Sequence, residues 1–231
     1  KYFIPKNLKK ISKSLKSEQK KFGIFLCGGD TVFSNKLSFT ITTIGFSDKI
    51  IYRNKAKLND DIYVTGNLGD SFAGLKILQK KIKVNKKFKK YFEDKYYKPN
   101  LKLKLTKKLF SIANTSIDIS DGLIADLEKL INNQKLSYKI NLDDIPISKN
   151  LKKLIEIKRL KKKSFISQGD DYEILFTASP QKFRIISAIS KSLSIKISKI
   201  GKIYKHSQKS LIIDKKHEKI EIKDKGYYHR F

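Results

Sequence analysis

The stretch Asp118-Ile119-Ser120-Asp121-Gly122-Leu123 places two carboxylates and a hydroxyl between a predicted strand and a predicted helix. Upstream, residues 116–120 alternate polar and apolar side chains, which is typical of a short strand with one buried face. Downstream, apolar residues recur at helical spacing: Leu123, Ile124, Leu127, Leu130 and Ile131. Asp121 is a favourable N-cap and Gly122 permits a tight turn. The sequence therefore predicts a helix that begins at the acids.

The N-terminus of such a helix is suited to phosphate and metal. Its first N–H groups have no partner within the helix and carry a partial positive charge, so phosphate oxygens bind there. Carboxylates such as Asp118 and Asp121 hold Mg²⁺ against those oxygens. The turn thus predicts a site for a nucleotide with its metal. The alternative is a capped helix with exposed acids.

The charge of the chain is strongly positive, with a formal net charge of +30 at pH 7. Such a charge favours nucleic acid through counterion release. Only four of the 52 basic residues are Arg, however, at positions 53, 159, 184 and 230. Base and phosphate recognition favours the planar fork of Arg, which Lys lacks. We therefore interpret the Lys excess as solvated surface and expect no nucleic-acid partner.

Cys27 is the single cysteine, which excludes an intrachain disulfide and a thiolate metal cluster. The longest uncharged run, Leu37 to Ser47, is too short for a spanning helix, and no signal-peptide pattern opens the chain. We expect a cytoplasmic protein without a membrane partner. The sequence contains no Met, which predicts that it begins inside a longer reading frame.

Helical and strand patterns alternate along the chain, which indicates a mixed α/β (α+β) fold. Amphipathic spacing predicts a first helix over Asn7–Lys21, and strands are expected at Phe22–Cys27 and Leu37–Phe46. We expect residues 1–52 to form a partial N-terminal domain and residues 53–231 a C-terminal α/β domain.

Further groups could act with the acidic turn. Gly28-Gly29-Asp30-Thr31 would let backbone N–H groups approach a ligand beside a carboxylate, although such turns are often structural. Three acids lie close together at a strand start: Asp170, Asp171 and Glu173. Either a nearby cation compensates their like charges, or the side chains are solvated. Arg53 is either a phosphate clamp or a surface residue.

Other chemistries are disfavoured by what the sequence lacks. The three histidines, His206, His217 and His229, have no zinc-ligand spacing. Ser120 has no His nearby to serve as its base. Phosphoryl transfer fits the remaining carboxylates, glycine turns and cation, because that reaction needs positioning and charge neutralisation rather than a protein nucleophile.

Four motifs in chain order resemble those of the thiamine-monophosphate kinase family. They are Gly28-Gly29-Asp30-Thr31, Arg53-Asn54-Lys55-Ala56-Lys57 with Asp60-Asp61-Ile62-Tyr63-Val64-Thr65-Gly66, Asp118-Ile119-Ser120-Asp121-Gly122-Leu123, and Gln168-Gly169-Asp170-Asp171-Tyr172-Glu173. The resemblance runs from about Gly23 to Tyr227. It implies ATP-dependent phosphorylation of thiamine monophosphate to thiamine diphosphate with Mg²⁺. It also implies the two-domain fold of the related aminoimidazole-ribonucleotide synthetase, with homodimers paired through the first domains.

The resemblance also implies roles for individual residues. Gly29, Asp30, Arg53 and Ser120 would contact ATP. Asp30, Asp118 and Asp121 would bind the metal, and Asp170 and Tyr227 would contact the thiamine substrate. No residue is expected to act as a catalytic nucleophile.

Two departures from the family pattern qualify these roles. Asp170 is one methylene shorter than the Glu that the family has at this position, and Gln168 replaces the first Gly of the family motif. The family also carries an upstream stretch with a Gly-Asp-Asp motif and further metal-binding aspartates. The resemblance therefore predicts a truncated first domain that forms only the end of the dimerising half-barrel.

Three alternatives stay open at this stage. One is a sister enzyme of the superfamily that acts on selenide or an aminoimidazole-type substrate. Another is a non-enzymatic protein that binds nucleic acid through its Lys surface. The third is that the stretch from Lys1 folds incompletely and is inactive by itself.

Overall fold

The computed structural model describes residues 5–207, 209–222 and 224–227. It divides into two compact units, Lys1–Ser47 and Asp48–Phe231, which are described separately below. This division lies close to the predicted boundary at residue 52. The assignment of the first part as a partial ATP- and metal-binding domain stays a prediction.

The first unit consists of helix α1 (Pro5–Phe22) followed by an extended segment. The helix confirms the prediction for Asn7–Lys21. The predicted strands at Phe22–Cys27 and Leu37–Phe46 are wrong, because residues 24–46 contain no strand. A strand is stable only when its backbone pairs with a neighbour. In the described part of this unit no second strand provides that pairing, and the apolar side chains of the segment, such as Phe33 and Phe46, are almost fully exposed.

The second unit is built on one six-stranded sheet with the strand order β2-β4-β1-β5-β3-β6. The strands are β1 (Asp61–Thr65), β2 (Thr115–Asp118), β3 (Leu136–Asn141), β4 (Ile174–Ala178), β5 (Ile197–Lys205) and β6 (Leu211–Ile213). Neighbouring strands are antiparallel except β3 and β6, which run parallel. The edge strand β2 pairs with β4 in the register Asp118 to Ile174. This pairing places the acidic turn at one end of the sheet edge.

Seven α-helices of the described chain accompany this sheet. They are α2 (Asp70–Leu78), α3 (Lys86–Tyr97), α4 (Leu103–Ile112), α5 (Leu123–Leu130), α6 (Lys149–Lys158), α7 (Lys163–Ile166) and α8 (Phe183–Leu193). Two 3₁₀ turns, Leu142–Asp144 and Pro180–Lys182, precede α6 and α8. The predicted mixed α/β architecture is confirmed.

Both faces of the sheet are covered, as the side chains of the central strand β1 show. Ile62 and Val64 point to one face and pack in the core that contains Leu123, Leu127 and Leu130 of α5. Tyr63 points to the other face and stacks on Phe176, with ring centroids 5.3 Å apart. That second core contains residues of α4 and α8. The sheet thereby supports α5, the helix that follows the acidic turn.

No helix in the described part of the chain has the length and apolarity needed to span a bilayer.

Candidate functional site

The acidic turn joins the end of β2 to the start of α5, as the sequence predicted, but its capping differs. Helix α5 begins at Leu123, and Gly122, with φ of 127°, occupies the N-cap position without a side-chain cap. Asp121 was expected to be the cap and is not. The buried carboxylate of Asp126 takes that role from within the helix. Its Oδ2 accepts the N–H groups of Ser120 and Asp121, both at 2.9 Å, and of Gly122 at 3.1 Å.

This capping changes which groups can bind a ligand. The helix N-terminus was expected to bind phosphate through its N–H groups, and Asp126 already accepts those of residues 120–122. Phosphate binding at the start of this helix stays a prediction. The side chain of Asp126 is fully buried, and its other oxygen lies 3.1 Å from Lys129 Nζ. A buried carboxylate with this many donors is well compensated. At residues 120–122 the turn therefore presents side chains, rather than backbone N–H groups, to a ligand.

Two distant segments dock on the acidic turn through their backbones. From the loop before β4, the N–H of Asp170 donates to Ser120 O at 2.9 Å, and the N–H of Tyr172 donates to Ile119 O at 2.9 Å. From the C-terminal segment, the N–H of Tyr227 donates to Asp121 O at 2.8 Å. The fold thus brings together three of the motifs that the sequence singled out.

Glycines make this docking possible because they permit backbone contact. A Cβ at Gly169 would lie 1.8 Å from Ser120 O, and a Cβ at Gly226 would lie 2.5 Å from Asp121 O. No side chain fits at such separations without a backbone shift. Gly226 also has φ of 149°, a conformation that disfavours other residues.

Replacing Gly169 with Ala is expected to destabilise the protein by roughly 1–3 kcal/mol, the usual range for overpacking. The new methyl group would push the 168–173 loop away from the acidic turn, so the binding of a ligand at the turn should weaken as well. Urea unfolding followed by circular dichroism measures the first effect. Gly45→Ala is a matched control, because a Cβ there meets nothing within 4 Å. Equal stability of the two variants would contradict this account of the docking.

A cavity of about 560 Å³ opens beside the acidic turn. Its lining includes four predicted site residues, Arg53, Asp118, Ser120 and Asp121. Arg53 precedes Asp118 by 65 residues in the chain, so only the tertiary structure brings Arg53 to the same cavity as the acids. The carboxylate of Asp118 is exposed at the end of β2. The cavity therefore combines carboxylates, a hydroxyl and a guanidinium, which are the groups that a metal–phosphate ligand requires.

Lys129 of α5 adds a second cation to this cavity. Its Nζ forms ion pairs with Asp121 and with Asp126. Partial burial lowers the pKa of Lys129, but the hydrogen bonds to the two carboxylates outweigh this effect and raise it above its usual value. The lysine is therefore charged at neutral pH.

Asp170 lies next to the acidic turn in a left-handed conformation with φ of 68°. Burial, followed by the negative charge of Asp121, raises the pKa of its carboxyl group. Tyr227 is also at the turn, with its side chain largely exposed. The two predicted substrate contacts thus lie against the predicted metal ligand Asp121.

Asp171 and Glu173 are separated from Asp170, which corrects the grouping of the three acids. Both are buried and line a second cavity of about 490 Å³. Asp171 accepts the N–H of Gly69 at 2.7 Å and that of Ser71 at 3.3 Å, at the start of α2. Burial raises the pKa of the Asp171 carboxyl group to about 8, and the hydrogen bonds from Gly69 and Ser71 offset only part of this increase. Asp171 is therefore neither solvated nor part of the acidic turn.

Glu173 has equally specific partners. It accepts the hydroxyl of Thr65 at 2.6 Å and forms an ion pair with Lys102 at 2.9 Å. The cation expected to compensate the crowded acids is therefore a lysine of the chain itself.

Gly29 and Asp30 lie in the first unit and are exposed. The carboxylate of Asp30 accepts the N–H of its neighbour Thr31 at 2.7 Å. Their predicted contacts with ATP and metal stay predictions.

The donors at the acidic turn fit Mg²⁺ held jointly with phosphate. No group of three or more His, Cys, Asp or Glu side chains among the described residues is arranged to hold a metal by itself. The cavity offers Asp118 and Asp121, and Mg²⁺ commonly uses one or two carboxylates together with substrate phosphates and water.

Asp126 and Lys129 were missed by the sequence reasoning. A signal for Asp126 was present, because it interrupts the apolar residues of α5 one turn after Gly122. A carboxylate at such a core-facing position requires donors, and the nearest are the N–H groups of the preceding turn.

No protein-family model matches the chain. The thiamine-monophosphate kinase of Buchnera aphidicola subsp. Schizaphis graminum (strain Sg) is 39% identical over 225 residues, which cover 96% of this chain and 69% of the relative. That of Escherichia coli (strain K12) is 31% identical over 225 residues, covering 96% and 68%. The chain thus spans about two thirds of the length of these curated relatives.

Solved structures of the same kinase, and of a protein with another name, are also similar to this chain. The complex of AaThiL with AMPPCP and TMP has a TM-score of 0.63 at 26% identity, over 77% of this chain and 54% of that chain. The HypE–HypF complex matches with a TM-score of 0.70 over 97% of this chain and 74% of that chain, but at 15% identity the likeness is one of fold alone. The predicted synthetase-like fold is confirmed. From sequence identity over nearly its whole length, the chain belongs to the thiamine-monophosphate kinase family.

Proposed function

We propose that the protein containing this chain transfers the γ-phosphate of ATP to thiamine monophosphate and forms thiamine diphosphate. MgATP would be bound by residues of the second unit, namely Arg53, Asp118, Ser120 and Asp121. The observation that carries the proposal is the single cavity these residues share, because two separate motifs of the kinase family meet there.

The chemistry needs no protein nucleophile. The acceptor is already an anionic phosphate, so no general base has to remove a proton. Mg²⁺ would neutralise charge on the phosphate oxygens of donor and acceptor. Asp118 and Asp121 would hold the metal, and Ser120 would donate a hydrogen bond to ATP. Arg53 would bind a phosphate through paired N–H groups.

The substrate side of the site would be formed by Asp170 and Tyr227. Their backbones hydrogen-bond to the acidic turn, so a thiamine bound by them would lie close to the phosphates at Asp121. Burial and the negative charge of Asp121 raise the pKa of the Asp170 carboxyl group. The ATP contacts that the family resemblance implies for Gly29 and Asp30, and the metal contact that it implies for Asp30, remain part of the proposal. We further propose a cytoplasmic homodimer.

The test is a direct assay of the purified protein with ATP, Mg²⁺ and thiamine monophosphate. Chromatography should show one thiamine diphosphate and one ADP per turnover, and a chelator should stop the reaction. ATP consumption without thiamine diphosphate would contradict the proposal. Turnover of selenide or of an aminoimidazole-type substrate would instead identify a sister activity.

A nucleic-acid-binding role makes a different prediction. Binding of arbitrary oligonucleotides would weaken steeply with salt, whereas the kinase binds MgATP saturably. Oligonucleotide binding that persists without MgATP binding would favour the former.

A further inference from the structure

Lys129 occupies a position next to a proposed metal ligand that the kinase reaction itself does not explain. Its ammonium group contacts Asp121 Oδ2 and lies 3.1 Å from Asp126 Oδ1. The Lys129 side chain is 40% exposed, and that of Asp121 is 27% exposed. Both residues line the cavity that contains Asp118. A positive charge of the protein is thus already placed on the carboxylate that would bind Mg²⁺.

We propose that Lys129 competes with the divalent metal for Asp121 and thereby weakens metal binding at the acidic turn. The inference rests on the proposed function in one respect, since it takes Asp121 as a metal ligand. It adds that the chain carries its own cation for this carboxylate, so that the site is charge-compensated before the metal arrives.

The surroundings of Lys129 explain why it cannot simply leave. Its second partner, Asp126, is fully buried and fixed by three backbone N–H groups. Lys129 precedes the end of α5 by one residue and lies three residues after Asp126, so the helix holds the two side chains on neighbouring positions. A metal at Asp121 therefore displaces the ammonium from one carboxylate while Asp126 keeps it close. The remaining repulsion between the two cations opposes metal binding.

The size of the effect follows from the partial exposure of the pair. Exposed ion pairs are weak because water screens them. The repulsion between Lys129 and a divalent ion is, however, twice the repulsion between Lys129 and a monovalent ion at the same distance. We expect Lys129→Gln to bind Mn²⁺ about three- to tenfold more tightly than the unchanged protein. Mn²⁺ serves as the probe because electron paramagnetic resonance measures its free concentration directly.

Three matched variants make the experiment specific. Lys129→Arg keeps the charge and should bind Mn²⁺ with nearly unchanged affinity. Lys153→Gln removes a charge from an exposed position on α6 and should also leave the affinity unchanged. In the Asp121→Asn background, Lys129→Gln should no longer tighten binding, because the carboxylate for which lysine and metal compete is absent.

The outcomes separate this inference from the proposed function. Unchanged or weaker Mn²⁺ binding by Lys129→Gln overturns the competition while leaving Asp121 as a ligand. Equal tightening in Lys153→Gln also overturns it, since a general effect of net charge would then suffice. Absence of Mn²⁺ binding in every variant, including Lys129→Gln, overturns both the competition and the metal role of Asp121.

Discussion

Asp118→Asn is expected to lower kcat/KM for thiamine monophosphate phosphorylation by about a thousandfold or more, without unfolding the protein. The loss of one metal ligand removes several kcal/mol of transition-state stabilisation, and about 1.4 kcal/mol corresponds to a factor of ten. The substitution keeps the shape of the side chain and removes its charge.

The fold should tolerate this change because the Asp118 side chain is exposed at the end of β2. Among residues 5–207, 209–222 and 224–227, none donates a hydrogen bond to its carboxylate. The measurement combines steady-state kinetics at several Mg²⁺ concentrations with urea unfolding. Asp94→Asn, at an exposed position on α3, is the matched control and should retain full activity. An Asp118→Asn enzyme with normal turnover and normal Mg²⁺ dependence would refute the metal role.

Lys102→Met is expected to destabilise the protein by about 3–5 kcal/mol, the usual cost of leaving a buried charge without its partner. Lys102 and Glu173 pair at 2.9 Å with side chains only 7% and 10% exposed. Glu173 lies close enough to the buried acids Asp70 and Asp171 to influence their pKa values. Without Lys102, Glu173 would lose the cation that compensates it among those carboxylates.

Two controls distinguish burial from charge removal in general. Lys89→Met breaks the exposed Lys89–Glu93 pair on α3 and should cost less than about 1 kcal/mol. The double variant Lys102→Met/Glu173→Gln should recover much of the loss, because the amide can still accept the Thr65 hydroxyl. A Lys102→Met protein as stable as Lys89→Met would show that the pair does not stabilise the fold.

The buried pair also shows why the three acids of the Gln168–Glu173 motif do not form one group in the fold. From sequence, Asp170, Asp171 and Glu173 are neighbours and invite a common role. In the fold, the positive φ of Asp170 and of Tyr172 turns the backbone between them. Asp170 then lies beside Asp121, whereas Asp171 caps α2 and Glu173 pairs with Lys102. The direction of each side chain depends on backbone angles that the residue types do not specify.

The predicted strands of the first unit failed for a related reason. Residues 22–27 and 37–46 have strand-like composition, but the described part of that unit contains no partner strand for them. Strand formation depends on pairing with residues distant in sequence. Helix α1, whose hydrogen bonds are local, was predicted correctly to within two residues at its start and one at its end.

The sequence by itself determined the mixed α/β class, the position of the acidic turn between β2 and α5, and the set of motifs that identifies the kinase family. Those features follow from local periodicity, turn chemistry and residue order. Tertiary structure alone decided that Arg53 shares a cavity with Asp118 and that Asp126 accepts the N–H groups of residues 120–122. It also decided that Lys129 forms an ion pair with Asp121. The physical reason is that hydrogen-bond donors and charges must find partners once they are removed from water. Which partner each one finds depends on how distant segments pack.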